Sequence, residues 1–245
     1  MNTFFAMNLI KDSFEKHNLP LLQIEPWGNY SAAFIQRFDV EPRYDDLLEL
    51  FPKFVNVSER HNISAVFYML VDQVRSAEFA DISEWQVFRA KNPKVSSMML
   101  EAKDKGMIIA SHSTWHLGPD VDPKPKENIK QSLDILEEVM QERTDQWVSP
   151  NLLAQKHSSL ELIDELGIKT TGEQMITFLP HYGISPDNNS RFIALQLPIS
   201  TNFNHGPLDP DYFAFVLEHQ TKKTISQTVD LYYEHNGLIN IYAHL

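Results

Sequence analysis

The chain has 245 residues, of which 42% are hydrophobic and 22% charged, proportions that suit one large globular domain with its own core. Its 21 Lys and Arg against 33 Asp and Glu give a net charge of -12, which argues against nucleic acid or an anionic membrane as partner. It contains no cysteine, so disulfides and thiolate ligands are excluded and any metal site must be built from histidines and carboxylates.

Residues 1–30 read as an N-terminal extension to a single domain spanning 1–245. Their apolar stretch is short, with no basic segment before it and no small-residue cleavage site after it, so no signal peptide is expected. No apolar run approaches the roughly 18 residues needed to cross a bilayer. The expected location is the cytoplasm for the chain as it stands, or the envelope if a leader has been removed.

Ala32–Phe38 reads as a buried strand. Asp45–Arg60 reads as a helix with Leu47, Leu48, Phe51, Phe54 and Val55 on one side, kinked or split by Pro52. Ser64–Val71 is a β-branched and aromatic run, hence a strand. Gln73–Pro93 is irregular, with room for a short helix. Val95–Lys105 is a helix that Gly106 closes, and Met107–Ser111 is a strand.

Loop 117–125 leads to the helix Glu127–Arg143, with Ile129, Leu133, Leu136 and Met140 on one face. Gln146–Ser149 is a candidate short strand. Ser158 and Glu161 suggest a capping box for a helix that ends at Gly167. Ile168–Thr171 and Phe192–Leu197 read as strands, with 179–190 as a loop insertion between them. Asp209-Pro210 opens a helical stretch running in two pieces to about His235. Leu238–Ala243 is a final strand. Alternating strands and helices, with strands apolar on both faces, predict an α/β fold with central parallel strands and outer helices, a β/α barrel of six or seven units.

In such barrels the active end is the carboxyl end of the strands, where Asp39, His112 and His244 fall. Arg37, Asp39 and Glu41 are two apart on a strand and share a face. His112 and His116 are spaced i, i+4, so one helical turn would aim both at one point. One carboxylate and two imidazoles leave a divalent metal with open positions, and a second carboxylate beside them suits a general base. His244 ends a buried strand, and an imidazole suits a general acid. The other histidines, among them His157, His181, His205, His219 and His235, read as solvated loop or helix residues. His181 and His205 lie in loops able to border the cleft.

These fragments resemble the polysaccharide deacetylase (NodB-homology, carbohydrate esterase family four) superfamily. Phe38-Asp39-Val40-Glu41 is similar to its first motif. Arg60 to Met69 (RHNISAVFYM) is similar to its second strand, His112-Ser113-Thr114-Trp115-His116 to its histidine motif, and Leu238–His244 to its last strand.

The resemblance implies a distorted (β/α)7 barrel and a metal-dependent hydrolase of amide C–N bonds. Asp39 would be the base, Glu41, His112 and His116 the metal ligands, and His244 the acid. The metal would be one divalent ion, zinc first, with cobalt, nickel or iron(II) as other candidates. Substrates would be N-acetylated amino sugars or polysaccharides. The alternatives are a small cyclic amide or ureide, as in an allantoinase, or a non-catalytic member that binds a glycan or partner.

The family's third motif carries an arginine, where this chain reads Trp147-Val148-Ser149-Pro150-Asn151. Arg37, beside Asp39, can take that arginine's task of orienting the base, or contact substrate. Trp115 is a candidate sugar platform. The chain stops directly after His244 without a closing helix, as a fragment or an unusually short member would.

Overall fold

In the computed structural model the described residues are 16, 30, 32–41, 44–71, 90–152, 154, 156–172, 180–185, 190–197, 201–202, 222–234 and 237–244. In chain order they form β1 (Ala33–Val40), α1 (Tyr44–Arg60), β2 (Val66–Met69), α2 (Pro93–Asp104), β3 (Ile108–Ser111) and α3 (Pro125–Met140). A 3-10 turn (Pro150–Leu152) precedes α4 (His157–Glu165), β4 (Thr170–Thr171), β5 (His181–Ile184), β6 (Arg191–Gln196), β7 (Thr201–Asn202), α5 (Lys222–Glu234) and β8 (Leu238–His244).

β1 lies at the centre of a five-stranded sheet of order β3-β2-β1-β8-β7, in which every pairing is parallel. Single parallel bridges, Ser111 to Trp147 and Gln146 to Thr170, carry the arc on from β3 to β4. β4 then pairs in parallel with β6. This is the α/β arrangement of a distorted (β/α)7 barrel, parallel strands inside and helices outside. Among the described residues no ladder between β6 and β7 closes it.

Strand alternation gives β1 two faces with different work. Phe38 and Val40 turn outward to α1 and pack with Leu47, Phe51, Val55, Phe67 and Met69. Phe67 is the hub, stacked on Phe38 at 5.1 Å and tilted on Phe51 at 4.8 Å between ring centroids. The inner face is smaller: Val66, Tyr68, Ala110 and Val148, with Ile35 against them. A separate outer cluster of Ile129, Leu133, Trp147, Ile163, Ile168 and Ala194 seats α3 and α4 on the far strands. The apolar stripe expected on the helix before Arg143 is buried at Ile129, Leu133, Leu136 and Met140.

Several expectations change. Pro52 does not split α1, which runs unbroken from Tyr44 to Arg60. Burial of Leu47, Phe51 and Val55 on both sides of Pro52 offsets one lost hydrogen bond. The Ser158–Glu161 capping box does not form, because α4 starts at His157 with Lys156 as N-cap. Asp120 takes that work, accepting from Lys156 N at 3.3 Å and from Ser159 Oγ at 2.6 Å. Residues 179–190 are not simply a loop: His181–Ile184 forms β5, antiparallel to β6. Gly183 lets the strand lie against Phe192, whose ring an added Cβ would meet at 2.9 Å. Gln146–Ser149 contributes bridges at Gln146 and Trp147 rather than a full strand. The irregular stretch after Gln73, the Asp209-Pro210 helix start, and His205, His219 and His235 lie outside the described residues.

Phe67→Ala is expected to cost about 3–5 kcal/mol, as for other fully buried aromatic truncations. Urea denaturation of the two proteins measures it, and a loss below about 1 kcal/mol would place the outer core elsewhere.

Candidate metal and active site

β1 delivers Arg37 and Asp39 to the inner face, both 1% exposed. Arg37 grips Asp39 with both arms of its fork: Nε donates to Oδ1 and Nη2 to Oδ2, each at 2.7 Å. The third nitrogen, Nη1, donates to the Gly172 carbonyl at 2.8 Å, reaching from β1 to the end of β4. The guanidinium also sits over the Tyr68 ring, 5.1 Å from its centroid. Planar bidentate pairing fixes the carboxylate in orientation as well as position. Each carboxylate oxygen carries two lone pairs, so a bond to Arg37 does not exhaust its acceptor capacity.

Glu41 follows β1 at the rim, its side chain 27% exposed. His112 leaves β3 with its backbone N bonded to Met69 O at 2.9 Å. Its Nδ1 lies 3.1 Å from the Val148 carbonyl, which can only accept; Nδ1 therefore carries the proton and Nε2 presents a lone pair inward. His116 returns to the same point, but not by a helical turn as its spacing suggests. The chain between them reverses at Ser113, whose φ of 73° is in the left-handed region. Trp147 Nε1 donates to Ser113 Oγ at 2.9 Å and holds that turn.

The donor atoms converge. Glu41 Oε1 is 2.9 Å from His116 Nε2 and 3.5 Å from His112 Nε2, and one donor atom from each residue lies within 4.8 Å of the others. Donors on a tetrahedral zinc stand about 3.3 Å apart, given bonds of about 2.0–2.1 Å. Nε2 of His112 is buried without a hydrogen-bond partner among the described residues. An inward, unpaired imidazole nitrogen beside a carboxylate and a second imidazole fits a divalent cation. Asp39 Oδ2 lies 3.9 Å from His112 Nε2, alongside the cluster rather than in it.

The backbone of His244 pairs in register with Asp39, at the same level of the sheet; its side chain lies outside the described residues. Trp115 is half-buried and its indole donates to Asp122 Oδ2 at 3.2 Å. His181 opens β5 opposite Gln196, the carboxyl end of β6, which itself pairs with Thr171 at the end of β4. Tyr68 carries no site signal of its own in the sequence; its place beside Asp39 comes from the register of β1 and β2. The carbonyls of Gly172 and Val148 carry no signal in residue type at all.

A family model for polysaccharide deacetylase matches residues 35–171, more than half of the chain. No curated protein matches. Among solved structures, a putative polysaccharide deacetylase from Mycobacterium smegmatis is similar at 14% identity and TM-score 0.63, covering 92% of this chain and 80% of that one. A probable polysaccharide deacetylase from Pseudomonas aeruginosa PAO1 is similar at 14% and 0.60, covering 94% and 83%. Puue allantoinase is similar at 13% and 0.56, covering 91% and 81%.

Burial pushes the Tyr68 phenol up to about 12 from its ordinary 10.0, with Asp39 adding to the rise and Arg37 opposing it. The folded state thus holds this proton more tightly than the unfolded chain. The associated stability is complete below pH 10.0 and fades as pH rises toward 12. Ultraviolet titration of phenolate should show a late-titrating tyrosine that Tyr68→Phe removes. If every tyrosine titrates near the ordinary value, the buried environment of Tyr68 is wrong.

Proposed function

The chain belongs to the polysaccharide deacetylase family, and from that premise we propose that it is a metal-dependent hydrolase of the amide C–N bond of an N-acetylated amino sugar, free or within a polysaccharide. The convergence of Glu41, His112 and His116 beside the clamped Asp39 carries this reading. These three residues would hold the cation, zinc being the first candidate for a set of two imidazoles and one carboxylate, with cobalt, nickel and iron(II) close behind. Bound there, the cation supplies Lewis-acid activation of water and of the amide carbonyl.

The remaining work falls to the protein's own groups. Asp39 takes a proton from the attacking water as its oxygen bonds to the carbonyl carbon. As the C–N bond breaks, the leaving nitrogen takes a proton from His244, whose backbone position beside Asp39 suits that role. The products are acetate and a free amine. Arg37 orients Asp39 and does not touch substrate, because it is buried and its fork is engaged by Asp39 and Gly172. Trp115, half-buried next to His116, offers an aromatic face to a pyranose ring.

Elemental analysis after zinc loading should find one ion per chain, lost in the His112→Ala, His116→Ala double variant while the protein stays folded. Asp39→Asn should keep the ion and lose about 10²–10⁴-fold in turnover of acetylated chito-oligosaccharide. Cyclic amides and ureides belong in the same screen, since an allantoinase shares the fold. Turnover of these alone would move the substrate class. A chain that takes up no ion leaves the non-catalytic binding reading in place.

His244→Ala should lower turnover and leave metal content unchanged. An unchanged rate, or loss of the ion, removes His244 from the role of acid.

A further inference from the structure

The two histidines of the site are held in different ways. His112 stands at the end of a strand and has the usual outer partner, a carbonyl on its second nitrogen. His116 stands in an irregular segment, and its Nδ1 is buried with no hydrogen-bond partner among the described residues. Among the described residues, then, nothing orients its ring through its second nitrogen, and the contacts that place it are those to the backbone on either side of it.

Asn128, in the first turn of α3 and 0% exposed, binds that backbone on both sides. Its Oδ1 accepts from Thr114 N at 2.9 Å and from Trp115 N at 3.0 Å. Its Nδ2, which carries two hydrogens, shares them among three acceptors, Trp115 O at 3.3 Å, Leu117 O at 3.1 Å and Asp122 Oδ2 at 2.7 Å. The amide thus binds peptide groups on both sides of His116, acceptor end to the N–H groups and donor end to the carbonyls. The Asn128 main chain adds to the grip, its carbonyl accepting from Thr114 Oγ1 at 2.7 Å. Asp122 completes the unit: Oδ2 also accepts from the Trp115 indole, and Oδ1 accepts from Lys124 N at 2.8 Å. Asp122 thereby fixes which way the Asn128 amide faces.

We infer that Asn128, oriented by Asp122, is the positioning residue that holds His116 in reach of a cation shared with Glu41 and His112. The inference rests on the reading of those three residues as ligands. Only an amide serves here. A carboxylate of the same shape can accept from Thr114 N and Trp115 N but cannot donate to the two carbonyls, and it would stand against the Asp122 carboxylate. Outer partners of metal ligands typically govern affinity by about 10–100-fold.

The test is titration of metal-free protein with Zn²⁺ and, separately, Co²⁺, at a temperature where circular dichroism shows every variant folded. Asn128→Asp should weaken zinc by about 10–100-fold and alter the visible cobalt spectrum, which reports on the ligands themselves. Asp122→Asn, a milder change at the edge of the unit, should weaken zinc by a smaller factor. Adding it to Asn128→Asp should recover part of the loss, because it removes the contact between like charges. A merely structural role would lower the unfolding temperature of the metal-free protein and leave both the zinc affinity of the folded form and the cobalt spectrum as in the wild type. That result in either single variant overturns the inference. If the wild type itself binds neither ion, the ligand reading has failed and this inference falls with it.

Discussion

The inner face of β1 carries two opposite charges away from water, and much of the architecture answers to that. Arg37 and Asp39 are each 1% exposed, so each depends on the other and on further polar partners to offset desolvation. The Gly172 carbonyl meets that need for Nη1, and in doing so ties β1 to the end of β4, strands that are not neighbours in the sheet order. Gly172 has to be glycine for this approach: an added Cβ would lie 2.9 Å from Arg37 Nη1 and 3.3 Å from the Leu197 carbonyl. Removing one member of a buried pair typically costs about 3–5 kcal/mol, against a whole-domain stability of about 5–15 kcal/mol. The group that holds the candidate base is thus also a cross-brace of the arc of strands.

Around that brace the site grades from rigid to open. Asp39 is locked by a planar fork, and His112 by its strand and by Val148 O. His116 depends on a turn that passes through a left-handed serine, a backbone state that persists only where its surroundings enforce it. Trp147 and Val71 supply the enforcement, the first through Ser113 Oγ and the second through Ser113 O. Glu41, at 27% exposed, is the most open of the four side chains, ahead of Asp39, His112 and His116. A cation held between Glu41, His112 and His116 would meet groups already placed, which is the condition for polar chemistry without reorganisation.

What the sequence shows and hides follows from where each contact originates. Helices with a regular apolar stripe, such as Leu47, Phe51 and Val55 or Ile129, Leu133 and Leu136, declare themselves because period and burial coincide. Asp39, Glu41, His112 and His116 are legible because their residue types carry their chemistry and strand ends bring them together. The carbonyls of Gly172 and Val148 are invisible, since every residue has one. Asn128 is equally hidden, because an asparagine in a first helical turn looks like a solvated one. The i, i+4 spacing of His112 and His116 fits a helix, whereas the left-handed Ser113 brings them together in another way. β5 is hidden within 179–190 because Gly183, a residue type depleted in strands, serves close packing on Phe192 there.

Trp147-Val148-Ser149-Pro150-Asn151 departs from the motif it resembles, and the geometry shows how the fold accommodates the change. Val148 sits in the small inner apolar cluster with Val66, Tyr68 and Ala110, where its side chain needs no polar partner, while its carbonyl holds His112. The guanidinium beside Asp39 comes from β1 itself. Two residues apart on one strand, Arg37 and Asp39 share a face whatever the surrounding loops do. A charge pair made this way does not depend on register between strands; only its third contact, to Gly172, does. The chain therefore keeps a clamped carboxylate at the strand end with its arginine drawn from within the same strand, and the orientation of Asp39 is set as soon as β1 is formed and covered.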